Sequence, residues 1–209
     1  MRSIFVAARS KRRPAVENIT GAVLAGGKSL RFGSNKAIFE INGKAMARVI
    51  SDKMREAGIL DVLLVGGSPE VADTLGLSFV ADEYPNEGPL GGLITALHNV
   101  STDFLCVLPC DVPRINSIRI RQLGFIVTSN SLHDVGVLAT TREHWLCSSW
   151  RVRTCLPELE RKFADGERAV HRAVNSLSIA RVSATDEEMS NINSLHRAGK
   201  LGDITLSGD

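Results

Sequence analysis

From Ile19 onward, short and nearly all-apolar runs alternate with amphipathic ones. Ile19–Ala25 reads as a buried strand that ends in Gly26-Gly27. Lys44–Ala57 sets Met46, Val49, Ile50, Met54 and Ala57 at helical spacing, and Gly58 stops it. Asp61–Val65 predicts a second strand closed by Gly66-Gly67, and Leu77–Ala81 a third, followed by the turn-rich stretch Asp82–Gly92. Leu93–Val100 predicts a helix and Phe104–Leu108 a fourth buried strand. Further strands are expected at Val135–Ala139, Leu146–Val152 and Ser178–Val182, with helices near Ile118–Val127, Leu156–Phe163 and Ala169–Asn175. Strands without a polar face, separated by helices, imply an α/β fold with a mainly parallel sheet covered on both sides. In such sheets a ligand sits at the carboxyl ends of the strands. No repeat, low-complexity tract or linker divides residues 19–209, which read as one domain.

Residues 1–18 stand apart. They carry Arg2, Arg9, Lys11, Arg12 and Arg13 without an acid among the first 13 residues, and Pro14 precedes the first regular pattern. The apolar stretch Ile4–Ala8 is shorter than the ~7–15 residues of a secretory core, so a flexible basic extension is expected rather than a targeting peptide. The whole chain has 25 Lys and Arg against 23 Asp and Glu; without the five early cations the body carries 20 against 23, a net of −3. A slightly acidic body argues against a broad nucleic-acid surface, which needs a basic stripe. No apolar run approaches the ~18–20 residues that span a bilayer, so no membrane partner is expected. Cys106, Cys110, Cys147 and Cys155 include no C-x-x-C pair. They read as reduced, mostly buried thiols of a cytoplasmic protein.

Local charge is more informative than the total. Leu24-Ala25-Gly26-Gly27-Lys28-Ser29-Leu30-Arg31-Phe32-Gly33-Ser34-Asn35-Lys36 begins where the first strand ends. Its glycines allow backbone N–H groups close to an anion, and Arg31 and Lys36 add positive charge with no acid between them. That combination suits a triphosphate; an ordinary βα turn with surface cations is the other reading. A P-loop would need glycine at position 22, which is Ala22, and G-x-G-x-x-G fails because Lys28 follows Gly26-Gly27. Asp111, in Leu108-Pro109-Cys110-Asp111-Val112-Pro113, and Asp82 each directly follow a strand. A single carboxylate with waters and substrate phosphates suits Mg²⁺. Asp111 capping a turn, and Asp82 in a rigid loop leading into a helix, are the structural alternatives.

Leu-Ala-Gly-Gly-x-x-x-Arg-x-Gly-x-x-Lys resembles the signature loop of nucleotidyltransferases, and within them most resembles the molybdenum cofactor guanylyltransferase family. Pro109-Cys110-Asp111-Val112-Pro113 and Asp82 with Gly88-Pro89-Leu90-Gly91-Gly92 resemble further motifs of that family. The resemblance is clear from Ile19 to Pro113 and patchy from Asp134 to Lys200. It implies a three-layer Rossmann-like nucleotidyltransferase fold and transfer of GMP from GTP to the terminal phosphate of molybdopterin, with pyrophosphate released. It further implies Arg31, Lys36 and Asp111 as catalytic residues, Asp111 as the Mg²⁺ ligand, and Leu24, Ala25, Gly26, Gly27, Lys36, Asp82, Gly91 and Asp111 around the nucleotide. Proteins of molybdenum cofactor biosynthesis, or enzymes that accept the cofactor, are the partner proteins it implies.

Three matches point to the acceptor side. His144-Trp145-Leu146 lies where the family carries a Gln/His-Pro-Leu strand, Gly166-Glu167-Arg168 resembles a Gly-Glu-Arg turn, and Asn191-Ile192-Asn193-Ser194 resembles Asn-x-Asn-Thr-Pro. His144, Arg168 and Asn193 become acceptor-binding expectations, and Trp145 or Trp150 an aromatic plate for a pterin. A tryptophan packed under the sheet, a solvated arginine and an Asn-x-Asn helix cap are the structural alternatives. Where some relatives carry Asn after the second strand, this chain has Gly66-Gly67. CTP or another phosphorylated acceptor (a sugar phosphate, phospholactate) is the alternative substrate set, and a catalytically inactive nucleotide-binding regulatory paralogue the alternative class.

Overall fold

A computed structural model describes residues 18–26, 37–129, 132–191 and 206–207. Its centre is β1 (Ile19–Leu24), an apolar run buried over five of its six residues because helices cover both of its faces. A short antiparallel pair, β2 (Glu40–Ile41) and β3 (Lys44–Ala45), leads into α1 (Met46–Glu56), followed by β4 (Val62–Val65), α2 (Pro69–Leu75) and β5 (Ser78–Val80). The chain continues through α3 (Gly88–His98), β6 (Phe104–Pro109), α4 (Ser117–Thr128), β7 (Val135–Ala139) and β8 (Glu143–Arg151). It then forms α5 (Val152–Ala164), α6 (Val170–Ala173), β9 (Ile179–Ser183) and β10 (Leu206–Ser207).

Seven strands form one sheet in the order β5-β4-β1-β6-β8-β7-β9. β1, β4, β5 and β6 are mutually parallel, β8 runs antiparallel to both β6 and β7, and β9 is parallel to β7. From β1 the chain builds outward through β4 and β5 on one side, then returns to place β6 on the other. This reversal opens a crevice at the carboxyl edge, beside β1.

The sheet divides the apolar residues between two layers. Ile19, Val23, Leu64, Cys106 and Leu108 pack against Ile50 and Met54 of α1, Leu75 of α2 and Leu123 of α4. Ala22, Val65, Leu105, Val107 and Trp150 meet Leu93 and Leu97 of α3, Leu159 of α5 and Val170 of α6. Strand alternation is the cause: neighbouring residues of β6 face opposite helical layers. Among the described residues, no helix is long and apolar enough to cross a membrane.

Several boundaries differ from the sequence pattern. The helix expected over Lys44–Ala57 is confined to Met46–Glu56, because Lys44 and Ala45 pair with β2. The helix expected over Leu93–Val100 starts five residues earlier, at Gly88, with Pro89 in its first turn where the missing N–H costs nothing. The strand expected at Leu146–Val152 is Glu143–Arg151, and Val152 begins α5 instead of closing that strand. The last predicted helix shrinks to Val170–Ala173. Helix α2 was not expected, although its ends carry clear signals. The Ser68 hydroxyl accepts from Val71 N, Pro69 follows, and Gly76 takes a left-handed conformation at φ +60°.

Candidate active site at the carboxyl edge of the sheet

Register brings the strand ends level. Leu24 lies opposite Val65 on one side and Pro109 on the other, and Val65 lies opposite Val80. Hydrogen bonding continues one residue further: Ala25 N donates to Val65 O (2.9 Å), Gly66 N to Val80 O (2.9 Å) and Cys110 N to Leu24 O (3.2 Å). Ala25, Gly66, Cys110 and the residues after them therefore line one edge.

Gly66 presses on the start of the glycine-rich loop. Its φ is +77°, and a Cβ there would lie 3.0 Å from Gly26 N and 3.1 Å from Gly26 Cα. Asparagine also adopts positive φ, so the backbone geometry alone does not demand glycine. The close approach does. Opposite, a Cβ on Gly26 would lie 3.7 Å from Asp82 Oδ2. The ends of β1, β4 and β5 thus converge on Gly26, with the Asp82 carboxylate facing it.

Asp82 is held on its other oxygen. Oδ1 accepts from Tyr84 N (3.0 Å) and from Thr95 Oγ1 (3.4 Å), and Glu83 N donates to the same hydroxyl (3.1 Å). The loop that follows is braced from the carboxyl half of the chain. His98 of α3 hydrogen-bonds Glu83 Oε2 (2.7 Å) through Nδ1 and Glu160 Oε1 of α5 (2.8 Å) through Nε2. Burial pulls the His98 pKa down, but hydrogen bonds and charge from Glu83 and Glu160 outweigh it, and the net shift is upward. At the far end of the loop, Arg168 Nε donates to Glu87 Oε2 (2.6 Å), and the Tyr84 and Phe163 rings meet at 4.7 Å. Gly91 sits where a Cβ would come within 2.8 Å of Tyr84 Cβ, so here it serves the close packing of α3 on this loop.

Asp111 is half-buried, one residue beyond the Cys110–Leu24 bond and across β1 from Asp82. Three side chains fix the loop it opens. Lys53 of α1 donates to Pro113 O (2.7 Å) and Ile115 O (2.6 Å), and burial lowers its pKa despite the nearby Glu56. Glu188 accepts from Asn116 Nδ2, from Arg119 Nε (3.2 Å) and from Thr185 N (2.8 Å), while Arg114 pairs with Glu187 (3.0 Å). Residues 185–190 are thereby tied to Arg114, Asn116 and Arg119, downstream of Asp111. Burial, with Asp111 and Cys106 adding to it, pushes the Cys147 thiol up, and burial alone takes Cys106 to about 12. Both thiols are inert at neutral pH.

His144 lies near the start of the antiparallel β8, hence at the same edge, and its Nε2 is 3.2 Å from Thr140 Oγ1. Burial lowers its pKa, Arg142 adds to that, and Asp186 opposes it. The tryptophans separate. Trp150 is fully buried, donating through Nε1 to Ser148 Oγ (2.7 Å), and so cannot be a plate for a ligand. Trp145 is half-buried against the same core layer. Arg168 Nη1 donates to Phe163 O (2.8 Å) and Glu167 O (2.9 Å), and its guanidinium stacks 4.0 Å over the Phe163 ring. These bonds, with that to Glu87, give it a bracing role at the Asp82 loop. Gly27, Lys28, Arg31, Lys36 and Asn193 lie outside the described residues. Thr95, Lys53 and Glu188 escaped sequence reasoning; only Thr95, a hydroxyl inside the apolar run Leu90–Leu97, left a signal.

The model of the MobA-like NTP transferase domain matches residues 21–182. A probable molybdenum cofactor guanylyltransferase of Peptoclostridium acidaminophilum is 26% identical over 166 residues, 77% of this chain and 74% of that protein. The molybdenum cofactor guanylyltransferase of Xanthomonas euvesicatoria is 35% identical over 105 residues, but the match spans only 50% of this chain and 52% of that protein. Among solved structures, molybdopterin-guanine dinucleotide biosynthesis protein A of Archaeoglobus fulgidus shares the fold at a TM-score of 0.69 and 19% identity, over 87% of this chain and 97% of that one. Domain match, sheet order and edge agree: the chain belongs to the MobA-like NTP transferase family.

Proposed function

We propose that this protein moves GMP from GTP to the terminal phosphate of molybdopterin, releasing pyrophosphate. The observation that carries the proposal is the convergence of Gly26, Gly66 and the Asp82 carboxylate at the reversal of strand order, with Asp111 on the other side of β1. The names of the relatives support guanine as the base and molybdopterin as the acceptor.

In this reading an acceptor phosphate oxygen attacks the α-phosphorus in line. A new P–O bond forms, the α–β bridging P–O bond breaks, and its electron pair leaves with pyrophosphate. The nucleophile is already an anion, so no strong general base is needed. The work of the protein is positioning and charge neutralisation. Backbone N–H groups of Gly26 and Gly27 meet the phosphates, Arg31 and Lys36 offset their charge, and Asp82 orients the nucleotide. His144, Arg168 and Asn193 are assigned to the acceptor.

Among the described residues, no group of three or more His, Cys, Asp or Glu forms a metal cage. A single carboxylate, that of Asp111, fits a hard cation that would complete its shell with phosphate oxygens and water, which is the habit of Mg²⁺. When bound there, Mg²⁺ supplies Lewis-acid charge neutralisation at the phosphates.

The test is a thermal-shift panel of GTP, CTP, ATP and UTP, each with and without Mg²⁺. GTP with Mg²⁺ is expected to stabilise selectively, by about 2.7 kcal/mol at a hundred times its dissociation constant. A preference for CTP moves the donor assignment to cytosine. Equal response to all four removes the guanylyl reading, and GTP binding with no pyrophosphate release from any acceptor turns the protein into a regulatory binder. Within the loop, Lys36→Ala is expected to slow pyrophosphate release by about tenfold or more, while Lys28→Ala has a mild effect. The reverse order in steady-state assays would mark a P-loop-type site.

A further inference from the structure

We propose that Thr95 is the positioning residue that turns the Asp82 carboxylate toward Gly26, where the glycine-rich loop begins. The inference rests on the reading that Asp82 contacts the nucleotide. Thr95 lies on α3, completely buried, in a run that is otherwise apolar or glycine. A hydroxyl there needs partners, since an unsatisfied buried polar group is costly. Thr95 finds two. Oγ1 accepts the N–H of Glu83 (3.1 Å) and donates to Asp82 Oδ1 (3.4 Å).

The consequence lies in which carboxylate oxygen is spent. Tyr84 N and Thr95 Oγ1 both address Oδ1, so the plane of the carboxylate is set from behind. Oδ2 is the oxygen that lies 3.7 Å from the place of a Cβ on Gly26. Tyr84 N alone would tether Oδ1 through a local turn and leave the carboxylate free to rotate about it. The second contact, from a separate helix, removes that freedom. Thr95 also anchors the backbone of Glu83, so it fixes both the start of the loop and the side chain that opens it. Neither contact requires Thr95 to touch a ligand.

The experiment is a double-mutant cycle on Thr95→Val and Asp82→Ala, read by GTP dissociation constants in Mg²⁺ and by melting temperature for every variant. Valine keeps the shape of threonine and replaces its hydroxyl with a methyl group. Thr95→Val is expected to weaken GTP about tenfold in the otherwise native protein. In the Asp82→Ala background the same change is expected to cost less than threefold, because there is neither carboxylate nor acceptor left to orient. Thr95→Ser, which restores the hydroxyl, is expected within about threefold of native affinity. If Asp82→Ala leaves GTP binding unchanged, the reading of Asp82 fails and this inference with it. If Asp82→Ala weakens binding and Thr95→Val does not, Thr95 has no positioning role. If Thr95→Val costs the same factor in both backgrounds, its effect runs through general packing and the inference is overturned. Thr95→Ala enters the same cycle should the valine variant fail to fold.

Discussion

Asp111→Ala is expected to release pyrophosphate at least about a hundredfold more slowly than the native protein, with the fold intact. The magnitude is that of removing a group which neutralises charge as it develops at phosphorus, about 10²–10³. The loop keeps anchors of its own when the contacts of the Asp111 side chain are lost. Lys53 grips Pro113 O and Ile115 O, Glu188 grips Asn116 and Arg119, and Arg114 pairs with Glu187, none of them through the Asp111 side chain. Melting temperature and pyrophosphate release, measured on the same preparation, check both halves. Release at the native rate would remove Asp111 from the reaction. A collapse in melting temperature would make it a structural residue. Asp111→Asn refines the result: it keeps the shape and loses the charge, so a similarly slow variant locates the effect in the charge.

The largest expected effect on stability falls far from that edge, at Gly136 of β7. A Cβ there would stand 2.4 Å from Ile126 Cγ2 and 2.7 Å from Ser149 Oγ. Neither neighbour retreats easily. Ile126 belongs to α4, which packs on this strand, and the buried Ser149 hydroxyl is committed to Leu123 O at 2.6 Å. Gly136→Ala therefore separates helix from sheet or breaks that hydrogen bond, at about 1–3 kcal/mol. For a chain of this size each kcal/mol lowers the melting temperature by roughly 2–4 °C. Calorimetry should show a loss of several degrees, and Ser149→Ala in the same background should recover part of it by making room. An unchanged melting temperature for Gly136→Ala would mean that α4 is not seated as described.

The amino half of the fold was legible because its signals are local. The run Ile19–Leu24 has no polar face and leads through Ala25 into Gly26, β4 runs into Gly66-Gly67, and β6 ends at Pro109. Asp82 and Asp111 could be placed at one edge because both directly follow strands, and a parallel sheet aligns strand ends. What stayed hidden depends on distant partners. Lys53 reaches carbonyls some sixty residues ahead, with nothing in its own surroundings to announce it. Arg168 looks like any turn arginine until Glu87 and Phe163 are brought beside it. The two tryptophans sit five residues apart on one strand, and their sequence surroundings do not reveal that Trp150 belongs to the core. Helix α2 is only seven residues long, too short for periodicity to mark it, although Ser68, Pro69 and Gly76 bracket it.

The bracing of the Asp82 loop makes the two halves of the chain a matched set. Glu83 and Glu87 belong to the half that carries the motifs, while Glu160, Phe163 and Arg168 belong to the half where resemblance to relatives thins out. In a chimera built by joining the amino half of this protein to the carboxyl half of a relative, the Asp82 loop would arrive complete and its scaffolding would not. Donor-side function would then depend on whether the grafted half supplies equivalents of Glu160 and Arg168. Recombination between family members is constrained at these contacts, and of the three carboxyl-half partners Glu160 and Phe163 lie outside every motif singled out in the sequence.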